Sequence, residues 1–247
     1  NAKGQIAFSS SSDAIEKLKR NEIDIVMSAC NCSYIKDIEL ECIPIAKDFL
    51  TLIVNFNNIA LQQLALHGLS RNSLKKIYFN QITEWNSLSS NKEDIQPIAK
   101  YLPNKNSGAI NHISTFLNAY SKKMKAINTT TEQELLANIL NIPISIGFCS
   151  HTISYDPQSK LRRQGIYIIG IDYNDSGTLN DEELIYDELS DLKKAVKKGE
   201  APSELVRELS FLYNPNSEKI EDIKLFINFA KQNQKSLLEK FNFFDIN

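Results

Sequence analysis

The fold of this chain is decided by IPIAKDFLTLIVNFNN at residues 43–58 and by LSRNSLKKIYFNQITEWNSL at residues 69–88. Residues 49–55 form a largely apolar run, which is typical of a strand that is buried on both faces. Helices are predicted at residues 59–66 and 73–78, after this strand. A buried strand that leads into helices indicates a mixed α/β protein.

The rest of the chain alternates between strand and helix patterns in the same way. Further strands are predicted at residues 5–8, 23–27, 144–148, 166–171 and 205–213, and further helices at residues 13–20, 110–123, 131–140 and 218–241. Residues 172–199 are charged and polar, and they are predicted to form a solvated helix with loops. The alternation predicts an α/β architecture for the whole chain.

The composition is that of a globular protein without a nucleic-acid partner. The chain has 247 residues, of which 42% are hydrophobic and 23% are charged, so it can bury one large core or two modest ones. Its formal charge of −2 gives no basic surface of the kind that nucleic-acid binding needs. No run approaches the roughly 18–20 apolar residues of a membrane span. If the protein is exported, we expect its signal to have been removed before Asn1.

The four cysteines, Cys30, Cys32, Cys42 and Cys149, do not form a metal-binding pattern. Zinc sites use paired Cys-x-x-Cys or Cys/His spacings, whereas Cys30 and Cys32 are separated by one residue and no histidine lies at a partnering distance. No metal site and no cofactor are therefore predicted. In an oxidising compartment Cys42 could pair with either Cys30 or Cys32, and the alternative is that these cysteines are small buried hydrophobic residues.

The opening stretch resembles the phosphate-binding proteins of the PstS type, which are periplasmic solute receptors of ABC transporters. The matching residues are Pro44, Ile45, Ala46, Asp48, Val54, Asn55, Leu74, Ile77, Phe79, Ile82 and Trp85. Residues 10–28 and 106–108 also fall where the family would place its flanking segments. The resemblance implies a two-lobe periplasmic-binding-protein fold of type II, with two crossover strands and a ligand cleft between the lobes.

The resemblance also implies a discontinuous domain organisation. Residues 1–55 and 205–247 are expected to form lobe I, and residues 56–204 are expected to form lobe II. The chain is expected to cross between the lobes at residues 52–55 and again at residues 208–213. Paired crossing strands of this kind act as a hinge that can close the cleft over a small solute.

A first candidate anion site lies before the helix predicted at residues 13–20. Ser10, Ser11 and Ser12 directly precede this helix, so their hydroxyls and the backbone N–H groups of its first turn can converge on one anion. The alternative is a helix N-cap supplied by Ser11 or Ser12, with the other serines exposed. Ser11 aligns with the serine of the family's G-S-x-x-G loop, and this resemblance favours the anion site.

A second candidate site lies before the helix predicted at residues 110–123. Ser107, Gly108 and Ala109 resemble the family's S-G-T phosphate loop, in which glycine lets the backbone approach the ligand and serine donates a hydrogen bond. The family loop is normally preceded by an arginine that binds two phosphate oxygens. Lys100 and Lys105 are the nearby cations here, and a lysine supplies charge without the two-pronged geometry.

The chain also departs from the family pattern. Ser28 follows the second predicted strand without the additional polar residue that relatives have there, and Ala109 replaces a threonine. In the family, a carboxylate that accepts the proton of hydrogen phosphate helps to reject sulfate. Asp48 is a candidate ligand-binding residue, although its position in the sequence does not place it at the ligand. Relatives also have an earlier strand, loop and helix, and this chain begins after them or has dispensed with them.

The resemblance predicts a protein that captures inorganic phosphate or a related oxyanion and delivers it to an ABC transporter permease. It would act in the periplasm or at the cell surface, and would contact the membrane only through the permease or a lipid anchor upstream of Asn1. The alternative is a degenerate PstS-like domain that acts as a sensor or adhesion module with altered or no phosphate binding. An enzyme with Cys149 as nucleophile and His151 as base is disfavoured, because no third orienting residue is evident.

Overall fold

A computed structural model gives the structure of residues 5, 11–29, 32, 39–89, 92–93 and 95–246, with the backbone alone at residues 11 and 12. Most of the strand predicted at residues 5–8 lies outside the described residues. In the part of the chain that the structure describes, no helix combines the length and the apolar character needed to cross a membrane.

Strands and helices alternate along the described chain. The strands are β1 (Val26–Ser28), β2 (Glu41–Asn55), β3 (Leu69–Ser70), β4 (Ala99–Leu102), β5 (Ile127–Asn128), β6 (Ser145–Ser150), β7 (Ile166–Ile168), β8 (Ile171–Asp172) and β9 (Val206–Tyr213). The helices are α1 (Ser11–Lys19), α2 (Leu61–His67), α3 (Arg71–Tyr78), α4 (Gly108–Phe116), α5 (Glu132–Asn141), α6 (His151–Ser154), α7 (Leu189–Lys198), α8 (Ile220–Gln232) and α9 (Gln234–Phe241). The predicted α/β architecture is therefore confirmed.

Several elements differ in length from the sequence prediction. Strand β2 begins at Glu41, eight residues before the predicted start at residue 49. Its first half is only partly buried and lacks the continuous apolar run of the second half, so the sequence pattern does not predict it. Helix α4 ends at Phe116, and Asn118 beyond it adopts a left-handed backbone with φ of 46°. The helix predicted at residues 218–241 is two helices, α8 and α9, which meet at Asn233.

Strand β2 organises the main sheet because it changes its partners half-way along its length. Its first part, up to Phe49, pairs antiparallel with β9, and its second part, from Leu50 onwards, pairs antiparallel with β6. The strand order is β1-β9-β2-β6-β4-β5, with β7 also paired to β2. A bulge between Pro44 and Ala46 interrupts the register with β9. One continuous strand thus connects two differently built parts of the sheet.

Hydrophobic side chains form one large cluster and two small ones within the described residues. The large cluster surrounds the second half of β2 and contains Trp85, whose indole Nε1 donates a hydrogen bond to the carbonyl oxygen of Ile144 at 2.8 Å. The small clusters pack around the β1-β9 part of the sheet, and their buried members are Leu18, Val26, Leu40 and Leu212 in one and Phe211, Tyr213, Ile223 and Ile227 in the other. Burial is therefore divided between the two parts of the sheet.

The structure selects one of the two disulfide pairings that the sequence leaves open. Cys32 and Cys42 form a disulfide across a sequence separation of 10 residues. Cys149 is a buried free cysteine on β6, and Cys30 lies outside the described residues. The disulfide ties the segment before β2 to the start of that strand, and it restricts the unfolded chain.

Candidate functional site

The N-terminus of α4 carries a serine hydroxyl that has no partner in the described part of the protein. Ser107 is the N-cap residue, but its side chain makes no capping hydrogen bond. Its Oγ is nevertheless buried and lacks a hydrogen-bond partner among the described residues. Buried hydroxyls are normally paired, and a helix N-terminus attracts anions because its first N–H groups have no partner within the helix. This end of α4 can therefore receive an oxyanion.

The start of α4 lies directly against the end of β1. A Cβ atom at Gly108 would be 2.9 Å from the carbonyl oxygen of Ala29 and 3.4 Å from its Cβ, so a larger residue would push the two segments apart. Ser28, the last residue of β1, is buried beside this contact. The structure thus brings the segment of Ser28 together with Ser107 and Gly108. Ala109 is buried in the large hydrophobic cluster, so only its backbone can serve a ligand.

The two lysines predicted for the site are placed differently. Lys100 donates to the carbonyl oxygen of Ile77 at 3.4 Å and contacts Asn80 Oδ1, at the C-terminal end of α3. Burial lowers the pKa of Lys100. Lys105 lies exposed in the loop before α4. Lys100 is therefore used at the end of α3, and Lys105 remains in the solvent beside the site.

The first helix begins earlier than the sequence predicts. Helix α1 starts at Ser11 rather than near Asp13, so Ser11 and Ser12 belong to its first turn instead of preceding it. Their side chains, and Ser10 as a whole, lie outside the described part of the structure. The convergence of these hydroxyls on an anion stays a prediction.

Arg207 is a buried cation that sequence analysis did not select for the site. It lies on β9 opposite Asp48 on β2, and the two side chains form an ion pair. Its Nη2 is also 3.7 Å from Glu132 Oε1, while its Nε is buried and has no hydrogen-bond partner among the described residues. The sequence feature that could have identified Arg207 is its position as a basic residue inside the strand predicted at residues 205–213.

Asp48 is surrounded by donors from the protein itself. Ser150 Oγ donates to its Oδ1 at 2.8 Å, the backbone N–H of Phe49 donates at 2.6 Å, and His151 Nδ1 lies 2.6 Å away. Burial would raise the pKa of Asp48, but the charge of Arg207 and the hydrogen bonds hold it well below its ordinary value. These partners occupy the lone pairs of the carboxylate. Asp48 therefore orients Arg207 and His151, and it is not positioned as a free acceptor for a solute.

Two more titratable side chains lie within the electrostatic field of Arg207. Burial raises the pKa of Glu132, the first residue of α5, and the charge of Arg207 opposes this rise. His112 on α4 places Nδ1 3.0 Å from the carbonyl oxygen of Glu204. Burial lowers the pKa of His112, and the charge of Arg207 lowers it further against the effect of the Glu204 carbonyl. Helices α4 and α5 are thus both coupled to the guanidinium.

The geometry does not support a Cys149–His151 catalytic pair. His151 directs Nδ1 towards Asp48, and its Nε2 lies 2.8 Å from the carbonyl oxygen of Asn242. The thiol of Cys149 is 3.7 Å from Thr51 Oγ1, and burial raises its pKa. A thiol that stays protonated, beside a histidine whose two nitrogens face other groups, is not an activated nucleophile.

Comparison with known proteins supplies a family and a set of similar folds. The family model described as a PBP superfamily domain matches residues 1–231. None of the curated protein sequences compared with this chain matches it.

Three solved structures illustrate the similarity in fold. An ABC-type phosphate transport receptor from Vibrio cholerae is 19% identical, with a TM-score of 0.63 over 95% of this chain and 85% of that chain. PstS from Borrelia burgdorferi is 16% identical, with a TM-score of 0.53 over 96% of this chain and 85% of that chain. The high-affinity periplasmic phosphate-binding protein PfluDING, solved with phosphate, is 10% identical, with a TM-score of 0.68 over 95% and 82%. At these identities the likeness establishes a shared fold.

Proposed function

This chain belongs to the PBP superfamily, as its sequence predicts, and we propose that it is a solute-binding protein for inorganic phosphate or a related oxyanion. The observation that carries the proposal is the buried hydroxyl of Ser107 at the N-terminus of α4, which has no hydrogen-bond partner among the residues that the structure describes. The three solved structures with a similar fold are described as a phosphate transport receptor, PstS and a phosphate-binding protein. Their descriptions support the same role here, with delivery of the solute to an ABC transporter permease.

An oxyanion that enters a protein site loses its water shell, so the site must replace those hydrogen bonds. The first-turn N–H groups of α4 and the Oγ of Ser107 would supply neutral donors. The Nε–H of Arg207, which is buried and has no partner within the described part of the chain, would supply a charged one. Part of the charge of Arg207 is already offset by Asp48 and Glu132. Directed hydrogen bonds therefore contribute more to recognition at this site than an excess of positive charge does.

We assign residues 1–55 and 205–247 to one lobe and residues 56–204 to the other. The division between a large hydrophobic cluster and two small clusters supports this assignment, because most members of the large cluster come from residues 49–205. Strands β2 and β9 join the two parts, and β2 changes partners between Phe49 and Leu50. Bending of these strands would open and close a cleft at the start of α4.

An exported location fits this role. The disulfide between Cys32 and Cys42 is of a kind that persists in oxidising compartments such as the periplasm or the cell surface. The fold is shared with a protein described as periplasmic. Contact with the membrane would then occur through the permease or through a lipid anchor upstream of Asn1.

Calorimetric titration of phosphate, with sulfate as a second ligand, tests the proposal on protein that has been partly unfolded, dialysed and refolded to remove bound solute. Ser107→Ala is expected to weaken phosphate binding by about tenfold, because one hydrogen bond to a charged ligand is lost. The matched control is Ser190→Ala, which changes an exposed serine in the first turn of α7 and should leave the affinity unchanged.

Absence of binding by the folded wild-type protein would contradict the proposal and favour a second candidate, a sensor or adhesion module built on the same fold. The observation in favour of that candidate is the ion pair between Arg207 and Asp48, because it engages part of the guanidinium before any solute arrives. Equal losses of affinity in Ser107→Ala and Ser190→Ala would place the anion elsewhere than at α4.

A further inference from the structure

Residues 172–183, with the sequence DYNDSGTLNDEE, have the spacing of a calcium-binding loop of the EF-hand type. Such a loop provides oxygen ligands at its positions 1, 3, 5, 7, 9 and 12 and has glycine at position 6. The residues at these ligand positions are Asp172, Asn174, Ser176, Thr178, Asn180 and Glu183, and Gly177 stands at position 6. Serine at position 5 departs from the usual aspartate or asparagine, but it retains a side-chain oxygen.

The structure folds this segment around its first and last carboxylates. Asp172 accepts hydrogen bonds from the backbone N–H groups of Ser176 at 3.0 Å and Gly177 at 2.9 Å. Glu183 accepts from the N–H of Asn180 at 3.0 Å and from that of Tyr173 at 2.6 Å. Gly177 has φ of 83°, the left-handed conformation that glycine supplies at a sharp turn. Both carboxylates are thereby turned inwards.

The burial of these carboxylates is a separate indication of a cation. Asp172 is 3% exposed and Glu183 is 1% exposed, whereas most of the residues between them are exposed. Among the ion pairs formed by the described residues, none includes either carboxylate. Backbone N–H groups bind them without bringing positive charge, and the whole loop contains five acidic and no basic residues. Burial of uncompensated charge is costly, and a divalent cation would offset it.

We propose that residues 172–183 bind one Ca²⁺ ion. Within the described residues, no group of three or more His, Cys, Asp or Glu side chains is arranged to hold a metal, so the donor set relies on amide, hydroxyl and carbonyl oxygens beside two carboxylates. This all-oxygen set suits Ca²⁺, which accepts six to eight such ligands in a flexible geometry, and it does not suit zinc. Asp172 also lines a cavity of about 220 Å³ together with His67 and Ser70, which gives a cation access.

The position of the loop indicates what the ion would do. The loop begins on β8, which pairs with β3, and ends shortly before buried Tyr186. Leu179, at position 8 of the loop, packs on the backbone of Gly68 and Gly170. A Cβ atom added at either glycine would lie 2.6 Å from the Leu179 side chain. No described helix flanks the loop on either side, so the ion acts as a clamp that fastens the segment to the β3-β8 sheet. This inference does not rest on oxyanion binding by the protein.

The test is calorimetric titration of Ca²⁺ into chelator-treated, dialysed protein in a buffer free of phosphate, with thermal unfolding measured alongside. The wild-type protein is expected to bind one Ca²⁺ with a dissociation constant below about 1 mM and to unfold at a higher temperature when Ca²⁺ is present. Glu183→Gln is expected to weaken binding at least about tenfold, since it removes the bidentate ligand. Glu182→Gln is the matched control, because it makes the same charge change at an exposed neighbour and should bind as the wild type does.

The assignment is overturned if the wild-type protein gives neither heat nor a thermal shift at about 10 mM Ca²⁺, roughly tenfold above the weakest sites of this type. Equal losses in Glu182→Gln and Glu183→Gln would also overturn it, because they would indicate non-specific attraction. If Glu183→Gln does not fold, Asn174→Ala replaces it, since this side chain is exposed. Folded Asn174→Ala is expected to release terbium, a luminescent substitute for Ca²⁺, several-fold more readily than the wild type, and unchanged retention would reject the site.

Discussion

Arg207 and Asp48 face each other in register on β9 and β2 and form a buried ion pair. The pair lies beside Phe49, where β2 changes its partner from β9 to β6. Ser150, the last residue of β6, and His151, the first residue of α6, bind the same carboxylate. One carboxylate therefore connects the strands that join the two parts of the molecule, and it orients the guanidinium, whose charge also acts on His112 of α4.

Asp48→Asn is expected to lower the free energy of unfolding by about 3 kcal/mol, because it leaves the buried guanidinium of Arg207 with only the more distant Glu132 as a counter-charge. Urea unfolding, followed by far-ultraviolet circular dichroism, measures the change. Asp191→Asn is the matched control, since Asp191 pairs with Lys194 in an exposed ion pair on α7, for which we expect a change below about 1 kcal/mol. Similar effects of the two substitutions would mean that the buried pair does not stabilise the junction.

The depressed pKa of Asp48 makes stability depend on acid. The folded protein holds this pKa below its ordinary value of 3.8, so the ionised carboxylate contributes stability that is present above about pH 4 and is lost as the pH falls towards the folded-state pKa. The unfolding midpoint of the wild type should therefore fall steeply below about pH 4. Asp48→Asn should show a shallower fall over the same interval, and parallel curves for the two proteins would contradict this linkage.

The disulfide between Cys32 and Cys42 is expected to contribute about 2–3 kcal/mol to stability, because it closes a short loop in the unfolded chain. The paired substitution Cys32→Ser with Cys42→Ser should lower the urea midpoint accordingly. Reductant should lower the midpoint of the wild type and leave that of the paired variant unchanged. Buried Cys149 should resist alkylation in both folded proteins, and a reductant effect on the paired variant would point to another source of the stability.

Local patterns in the sequence identify elements better than they identify the site. The apolar run at residues 49–55 marks the buried half of β2, but the half-buried residues before it are part of the same strand. The helix predicted at residues 110–123 is present, but it begins two residues earlier, at Gly108, and ends at Phe116. Arg207 was missed because its role depends on an antiparallel register with Asp48, 159 residues away. No local periodicity contains that pairing, whereas each helix or strand is encoded within a few residues.

The same reasoning explains why two candidate residues, Lys100 and Asp48, contact other groups of the protein instead of remaining available to a ligand. Lys100 is close in sequence to the candidate anion-binding residues Ser107 and Gly108, but its side chain contacts Asn80 at the end of α3. The family pattern makes Asp48 a candidate ligand-binding residue, but donors from Ser150 and His151 surround its carboxylate in the structure. Proximity along the chain suggests which residues are candidates for a site. The packing of helices against the sheet decides which of their side chains are already bound by other groups of the protein.

Glu132 offers a direct test of whether the protein's own carboxylates compete with the proposed oxyanion for Arg207. Its Oε1 is 3.7 Å from the guanidinium, and the side chain is 25% exposed. Glu132→Gln removes one negative charge from the neighbourhood of Arg207, so oxyanion binding should become about threefold to tenfold tighter, which corresponds to roughly 1 kcal/mol. Calorimetric titration with phosphate and sulfate measures the change for both anions.

The matched control for this substitution is Glu134→Gln on the same helix. Glu134 accepts a hydrogen bond from the N–H of Thr130, and glutamine can preserve this bond as part of a capping box. The control should therefore retain the wild-type affinity for both anions. If Glu132→Gln instead weakens phosphate binding while sulfate binding is unchanged, Glu132 accepts the proton of hydrogen phosphate, and its place beside Arg207 serves selectivity rather than charge balance.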